Sequence, residues 1–484
     1  MIMIPGMNNN LYSVLTMRSP KELRLDRDTQ KRTLNSDPSS TSYDSHNYLN
    51  YLKSEDCIIN KTSVDSTVDV VDLENLASTL RTIIPPPDKF EASFRNPCWY
   101  MHLHLPLKVN KVLQNSRGNL SDTEASNLMN LLFGSSQKRG GASKLSSSSL
   151  PMPKSLVCIP QVYFIGFPRS GSTQLYKMLV SHPDLAGGTN KEPHWWTRYL
   201  FSSHFPHNIL AIIRYLSHFR EASEQTVNHT QQLLIDGSQS TVWDLRTTNN
   251  LCALPHLITS IVPNANFIVL MRNPVDRLFS DFRYLCEEAQ RIKLKRKTLN
   301  EREQILAENE PSFNVSADVF HKVVQEEIES FHSCLDSGNT LDICTHLSTI
   351  TMSRKSQPAA VISSECSRVR LGISLYHVHL KRWLKVIPRE RVLFLKTEDM
   401  SQDPYALLER VWQFLDVEKQ NRNELSQILY QHSHSSLMGH GNSTIREDIK
   451  MHQKTRDLLV NFFHPHNTAL SQLLEEEGFS WSNY

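Results

Sequence analysis

The sequence is short of several things, and each shortage closes off a class of protein. No stretch approaches the roughly 18 consecutive apolar residues that a bilayer-spanning helix needs, so nothing reads as a transmembrane segment. The opening MIMIPGMNNN has no basic start followed by an apolar run, and it does not read as a secretory leader. Charge of one sign is not in excess: 52 Lys and Arg face 50 Asp and Glu, a net charge of +2. A tail-driven nucleic-acid binder needs a clear basic surplus, so no nucleic-acid partner is expected. Glycine (15) and proline (23) are too few among 484 residues for a collagen-like or Pro/Gly-rich chain. The eight cysteines include no C-x-x-C pair, which removes the common zinc and redox signatures. Apolar residues reach only 39% and mean hydropathy is −0.40. Either the core is thin everywhere, or a polar segment dilutes an ordinary one.

The second reading fits the order of residues. Residues 1–90 are rich in Ser, Asn, Asp, Thr and Lys, with few aromatics, and read as a disordered stem or linker. Residues 91–155 form a lead-in that ends in a Ser/Gly/Lys-rich stretch, SSQKRGGASKLSSSSLPMPKS, expected to be mobile. From 156 to 484 regular apolar segments return, and this is the expected catalytic domain. Cys334 and Cys344 flank a short polar turn that a local disulfide could close. Asn-x-Ser/Thr triplets stand at Asn60, Asn119, Asn228, Asn314 and Asn442, and with that cysteine pair they lean toward a lumenal or secreted setting.

Within 156–484, short apolar runs alternate with amphipathic ones. VYFIG (162–166), LLIDGS (233–238), NFIVLM (266–271) and RVLFLK (391–396) read as buried strands. STQLYKMLVSH (172–182), PVDRLFSDFRYLCEEA (274–289), RLGISLYHVHLKRWLKV (370–386) and PYALLERVWQFL (404–415) read as helices. The alternation predicts an α/β fold with a parallel sheet covered on both faces. Ligands of such sheets bind beyond the carboxyl ends of the strands, here just after Ile165, Asp236 and Met271.

The first of these ends runs into Gly166-Phe-Pro-Arg169-Ser170-Gly171-Ser172-Thr173 and then a helix. Glycines let backbone N–H groups approach an oxyanion, and the helix dipole favours negative charge there. The spacing is that of a P-loop, but Ser172 stands where the phosphate-binding lysine belongs, and the cation is Arg169 instead. The competing reading is an ordinary glycine turn capped by Ser172. The strand NFIVLM ends in Arg272 rather than a magnesium-holding Asp, with Ser280 eight residues on. A cation and a hydroxyl so placed suit a second phosphate, although Arg272 could instead pair with Asp276 or Asp281 on the surface. Two anion sites without a metal carboxylate fit a nucleotide that bears an extra phosphate and donates a group without magnesium. No metal ligands are expected, since the histidine-rich HPHN and QHSHSS lack recognised ligand spacing.

These two segments resemble the 5′-phosphosulfate loop and the 3′-phosphate motif of sulfotransferases that use 3′-phosphoadenosine-5′-phosphosulfate (PAPS). Lys191-Glu192-Pro-His-Trp-Trp-Thr-Arg198, Asp236-Gly-Ser-Gln-Ser-Thr-Val-Trp-Asp244, Arg272-Asn-Pro-Val-Asp-Arg-Leu-Phe-Ser280 and QKTRDLLVNFFHPHNTALSQLL narrow it further. They are similar to the Golgi glycosaminoglycan sulfotransferases, and within them to the N-acetylgalactosamine 4-sulfate 6-O-sulfotransferase branch. The resemblance covers about residues 91–484. It implies the P-loop-like sulfotransferase fold, a glycosaminoglycan acceptor, PAPS as co-substrate, and a Cys98–Cys158 disulfide beside Cys334–Cys344. It also implies a lumenal Golgi protein held by an N-terminal anchor. No such segment is seen, so either the chain starts upstream of Met1 or this form lacks its anchor.

Carried over by position, the resemblance puts the backbone amides of Arg169, Ser170, Gly171, Ser172 and Thr173 around the 5′-phosphosulfate, with the Arg169 guanidinium on the leaving oxygen. Most of the branch has lysine at that place. Arg272 and Ser280 would bind the 3′-phosphate. Glu192 would be the general base and Lys191 would touch the transferring sulfonate or orient the base; otherwise Glu192 is a loop carboxylate paired with Lys191 or Arg198. Trp195 and Trp196 are expected in the core rather than against sugar rings. The basic run Arg291–Lys297 reads as a solvated helix extension. GHGNSTIR (439–446) lacks the clear Lys-Gly-Arg pattern of the loop that closes over the nucleotide in relatives. Readings kept beside the main one are a sulfotransferase acting on another glycan such as heparan sulfate, a catalytically silent glycan- or nucleotide-binding relative, and a P-loop kinase. The missing P-loop lysine and strand-end Asp count against the kinase.

Overall fold

The apolar runs become strands, and the way their residues alternate sets the layers. The computed structural model describes residues 80–81, 83–102, 154–200, 208–245, 253–296, 315–350, 369–427 and 449–482. The expected stem up to residue 79, the Ser/Gly-rich stretch 135–153 and the GHGNSTIR loop lie outside the described residues. β1 (Cys98–His102) and β2 (Lys154–Cys158) pair antiparallel. β3 (Val162–Gly166), β4 (Leu185–Gly187), β5 (Leu233–Asp236), β6 (Asn266–Met271) and β7 (Val392–Lys396) form a parallel sheet in the order β4-β5-β3-β6-β7.

Successive residues of a strand face opposite sides of the sheet, so a strand buried on both sides must be apolar throughout. β3 shows this: Val162 and Phe164 join one core with Ile268, Leu270 and Leu395. Tyr163 and Ile165 join the other with Phe267, Val269 and Phe394. Helices α1 (Ser172–Leu179), α2 (Asn208–Ser217), α3 (Arg220–Thr226), α4 (Ala253–Ile261), α5 (Pro274–Arg296), α6 (Ala317–Asp336), α7 (Leu341–Ile350), α8 (Tyr376–Leu384), α9 (Thr397–Gln402), α10 (Pro404–Leu415) and α11 (Gln453–Leu474) complete the fold. Leu175 and Leu179 of α1 and Val411 and Trp412 of α10 cover the first face. Ile258 of α4, Leu380 and Trp383 of α8 and Leu470 of α11 cover the second. A third core, away from the sheet, joins α5, α6 and α11 through Phe282, Phe320 and Phe463. The P-loop-like α/β architecture is the one expected.

Some boundaries differ for physical reasons. The segment 370–386 is not one helix: Leu371–Ser374 is a 3-10 turn before α8. There His379 takes the Gly372 carbonyl and Ser374 Oγ accepts from Arg277, so side chains replace a helical ladder. β4, only three residues long, is too short to show a pattern. α5 runs on to Arg296, so most of the basic run continues a helix. Both expected disulfides form. Cys98 and Cys158 stand directly opposite in the β1–β2 register, and Cys334–Cys344 ties α6 to α7. Asn96 fastens the lead-in to the sheet, donating to the Gln232 carbonyl (2.6 Å) and accepting from Leu234 N–H (2.8 Å). Asn228, just after α3, is exposed. No described helix is long and apolar enough to cross a membrane.

Candidate active site

The loop between β3 and α1 is built for an anion by its backbone. Arg169 (φ 68°) and Gly171 (φ 78°) both adopt left-handed conformations. For arginine that geometry costs on the order of 1–2 kcal/mol, a strain kept only where the surroundings impose it. The turn is not capped by Ser172. Gly171 is the cap residue of α1, with no side-chain hydrogen bond, and Ser172 Oγ instead accepts from Lys191 Nζ at 3.1 Å. An uncapped helix start with free-facing N–H groups favours negative charge. Ser170 is fully buried and its Oγ has no partner among the described residues. Thr173 is exposed on the first turn. These features fit an oxyanion.

The β6 end meets this loop. Arg272 Nη1 donates to the Arg169 carbonyl (3.3 Å), and Tyr376 Oη donates to the Arg272 carbonyl (2.8 Å). The carboxylates that might have paired Arg272 are engaged elsewhere. Asp276 binds Arg456 at 2.7 Å, while Asp281 binds Arg277 and Arg370. Arg272 makes no ion pair among the described residues. The Arg169 guanidinium lies over the Tyr284 ring at 4.9 Å, and its Nε donates to Ser280 Oγ at 3.2 Å. Arg169, Arg272 and Ser280 are therefore brought together at one end, with Lys191 at the other.

Lys191 and Glu192 reach the start of α1 from the loop after β4. Gly237 lets that loop pass, because a Cβ there would stand 2.8 Å from the Lys191 carbonyl. Lys191 Nζ contacts Glu192 Oε1 at 2.6 Å, and His194 Nε2 contacts Glu192 Oε2 at 3.2 Å. His194 has φ 52° and precedes a π-helical turn, Trp195–Tyr199, a distortion common at functional sites. Its ring is fixed by Ser240 Oγ at 2.7 Å and its backbone N–H by Ser238 Oγ at 3.0 Å. Ser238 N–H in turn binds the buried Asp236. Burial pushes the Glu192 carboxyl up, but the His194 hydrogen bond and the Lys191 ammonium outweigh it and hold the group at about 2. Burial lowers the Lys191 ammonium, and Glu192 opposes that shift. Arg198 contacts Asp244 at 3.3 Å, not Glu192. Trp195 and Trp196 are buried, as expected.

Sequence reasoning missed four residues that shape this site. His194 was within the quoted Lys-Glu segment, and its place two residues from Glu192 was a usable signal. Ser240 lay in the Asp-Gly-Ser segment without spacing to mark it. Arg277 is fully buried and donates to the Pro168 carbonyl (3.4 Å) and Ser374 Oγ (2.6 Å). Thr397 donates to the carbonyls of Ser170 (2.7 Å) and Met271 (3.0 Å), joining the two donor loops. Neither could be read before the chain was folded. Among the described residues no group of three or more His, Cys, Asp or Glu is placed to hold a metal ion.

Comparison with known proteins gives the family. The chain is 28% identical over 444 residues to carbohydrate sulfotransferase 15 of Rattus norvegicus, covering 85% of this chain and 69% of the relative. It is 28% identical over 485 residues to carbohydrate sulfotransferase 15 of Homo sapiens, covering 92% and 77%. A sulfotransferase structure from Alicyclobacillus acidocaldarius aligns over 66% of this chain and 97% of its own, at 17% identity and a TM-score of 0.37. The sulfotransferase domain model matches residues 160–466, from the residues just before β3 into α11, and so takes in both anion loops and the Lys191-Glu192 segment. The chain is a transferase enzyme that belongs to the sulfotransferase domain family.

Proposed function

We propose that the protein transfers a sulfonate group from PAPS to a hydroxyl of a glycosaminoglycan, the 6-OH of N-acetylgalactosamine 4-sulfate in chondroitin or dermatan sulfate. The observation that carries the reading is Glu192, held between Lys191 and His194 beside the start of α1. The uncapped N-terminus of α1 and the Ser170–Thr173 amides would bind the 5′-phosphosulfate. Arg272 and Ser280 would bind the 3′-phosphate, with Arg169 spanning from there to the leaving oxygen. The acceptor oxygen attacks sulfur and forms the new O–S bond. The bond from sulfur to the phosphate oxygen breaks, adenosine 3′,5′-bisphosphate departs, and Glu192 takes the hydroxyl proton. Fixed cations and amides aimed at the sulfonate and the leaving oxygen supply most of the stabilisation. A carboxylate at about 2 is a weak base. As Lys191 turns from Glu192 to the sulfonate, Glu192 loses a neighbouring positive charge and becomes more basic when the proton must move.

A lumenal Golgi location and a membrane anchor belong to the same proposal, which rests on the family resemblance; one relative, from Dictyostelium discoideum, 25% identical over 70% of this chain, is named a membrane-associated sulfotransferase. The division into a stem at 1–90, a lead-in at 91–155 and a catalytic domain at 156–484 is likewise part of the proposal, read from composition. The test has two parts. Adenosine 3′,5′-bisphosphate should raise Tm where ATP and AMP do not, because tight binding stabilises the native state by mass action. Labelled PAPS should then transfer to chondroitin or dermatan sulfate and not to heparan sulfate. Equal protection by ATP with magnesium would overturn the donor, and transfer to heparan sulfate alone would overturn the acceptor.

A further inference from the structure

Glu192 also lines a pocket of about 130 Å³, together with Trp195, Tyr199, Arg214, Tyr215 and His218 among others. The pocket's accessible aromatic side chain is Tyr199, 39% exposed, while Trp195 and Tyr215, stacked at 4.6 Å with 15° between their planes, are buried in its lining. The Trp195 indole N–H is buried and has no partner among the described residues. Arg214 is exposed in the last turn of α2 and makes no ion pair among the described residues. His218 stands four positions on, so the two fall on one side of the helix end. Thr189 ties this corner to the loop that carries Glu192, bonding His218 Nδ1 through its hydroxyl (3.0 Å) and the His218 carbonyl through its N–H (2.8 Å). Burial and the Arg214 guanidinium lower the His218 imidazole, so positive charge in the pocket comes from Arg214.

A pocket lined by a carboxylate, a guanidinium and an exposed tyrosine suits a particular ligand. It suits a sugar that gives up a hydroxyl proton at one end and carries a fixed negative charge at the other. We propose that this pocket is an acceptor subsite in which Arg214, assisted by His218, holds an anionic substituent of the acceptor, a sulfate ester or a uronate carboxylate. The proposal rests on the reading of Glu192 as the base facing the acceptor.

The test is equilibrium binding of three hexasaccharides to the full chain: chondroitin 4-sulfate, unsulfated chondroitin, and carboxyl-reduced chondroitin 4-sulfate. A charged hydrogen bond is worth enough that Arg214→Gln should weaken binding about ten-fold or more, with Arg214→Lys recovering part of the loss. Loss with both sulfated sugars but not unsulfated chondroitin identifies the sulfate ester. Loss with the two uronate-bearing sugars but not the reduced one identifies the carboxylate. Arg220→Gln, which removes an equal charge from the neighbouring helix, should change nothing. Unchanged binding of all three sugars by Arg214→Gln, or an equal loss with Arg220→Gln, overturns the subsite. Adenosine 3′,5′-bisphosphate binding is measured on the same variants and should not move. If the wild type binds that nucleotide no better than ATP, the parent reading fails, while the sugar measurements still decide the pocket.

Discussion

The two sides of the site are held in different ways. The proposed donor side is made mostly of backbone: a left-handed Arg169, a left-handed Gly171, an uncapped helix start, and carbonyls of Pro168, Arg169, Ser170 and Met271 pinned by Arg277, Arg272 and Thr397. The proposed acceptor side is made of side chains, with Glu192 held by Lys191 and His194, and His194 held by Ser240. A backbone cradle accepts the same phosphates whatever is being sulfated, so it can be rigid. A side-chain cluster can change its hydrogen bonds during a proton transfer and can be altered residue by residue to suit a different acceptor.

If that division is right, the two sides can be broken separately. The largest effect is expected from Glu192→Gln, which keeps the shape and removes the proposed base. Turnover should fall by about 10²–10⁴-fold while adenosine 3′,5′-bisphosphate binds as before. Near-normal turnover would remove Glu192 from the chemistry. The counterpart on the donor side is Arg277→Met. Arg277 and Asp281 are both fully buried and 3.4 Å apart, and breaking such a pair from one side costs about 3–5 kcal/mol. Urea denaturation should show that loss, together with weakened nucleotide binding because the Pro168 carbonyl is released. Full stability would mean that Arg370 alone satisfies Asp281.

How much of each side could be read from the sequence follows from the same difference. The donor side was legible because backbone cradles need glycine and a strand-to-helix junction at fixed spacing, and Gly166 to Thr173 shows both. The buried strands were legible because burial on two faces demands unbroken apolar runs. The pairing of Glu192 with His194 was only half visible: the residues are close in sequence, but the left-handed turn at His194 depends on Ser238 and Ser240, more than forty residues away. Arg277 looked like one more helix charge, and only the packing of α5 against the 3-10 turn Leu371–Ser374 shows that it is buried. The charge pattern could not separate it from Arg272, five residues earlier, which makes no ion pair among the described residues.

His194→Gln refines the acceptor side further. Glu192 is ionised down to about 2, well below its ordinary value of 4.5. Its ionised form therefore contributes stability that is complete above about pH 4.5 and lost as pH falls toward 2. In the wild type the acid limb of kcat/KM between pH 5 and 8 should not come from this group. Removing the imidazole takes away its strongest stabilising hydrogen bond, so the carboxyl should rise from about 2 and the limb that it sets, below about pH 4.5, should move up in pH. Turnover should fall about ten-fold, less than for Glu192→Gln, because Lys191 still orients the base. An unmoved limb with the same rate loss would mean that His194 only fills space.

The smallest change probes whether the two donor loops act as one unit. Thr397 shares its hydroxyl proton between the Ser170 carbonyl, in the β3–α1 loop, and the Met271 carbonyl, at the end of β6. Thr397→Val keeps the shape and removes that link. A neutral hydrogen bond contributes about 1 kcal/mol net, which is about five-fold in a dissociation constant. The dissociation constant of adenosine 3′,5′-bisphosphate should rise by that factor, because the 5′ and 3′ phosphate sites would no longer be held at a fixed separation. KM for the acceptor should stay where it was, since neither carbonyl touches Glu192 or His194. A parallel rise in both constants would show that the loops and the acceptor cluster are mechanically coupled, and the separation of the two sides would fail at its weakest link.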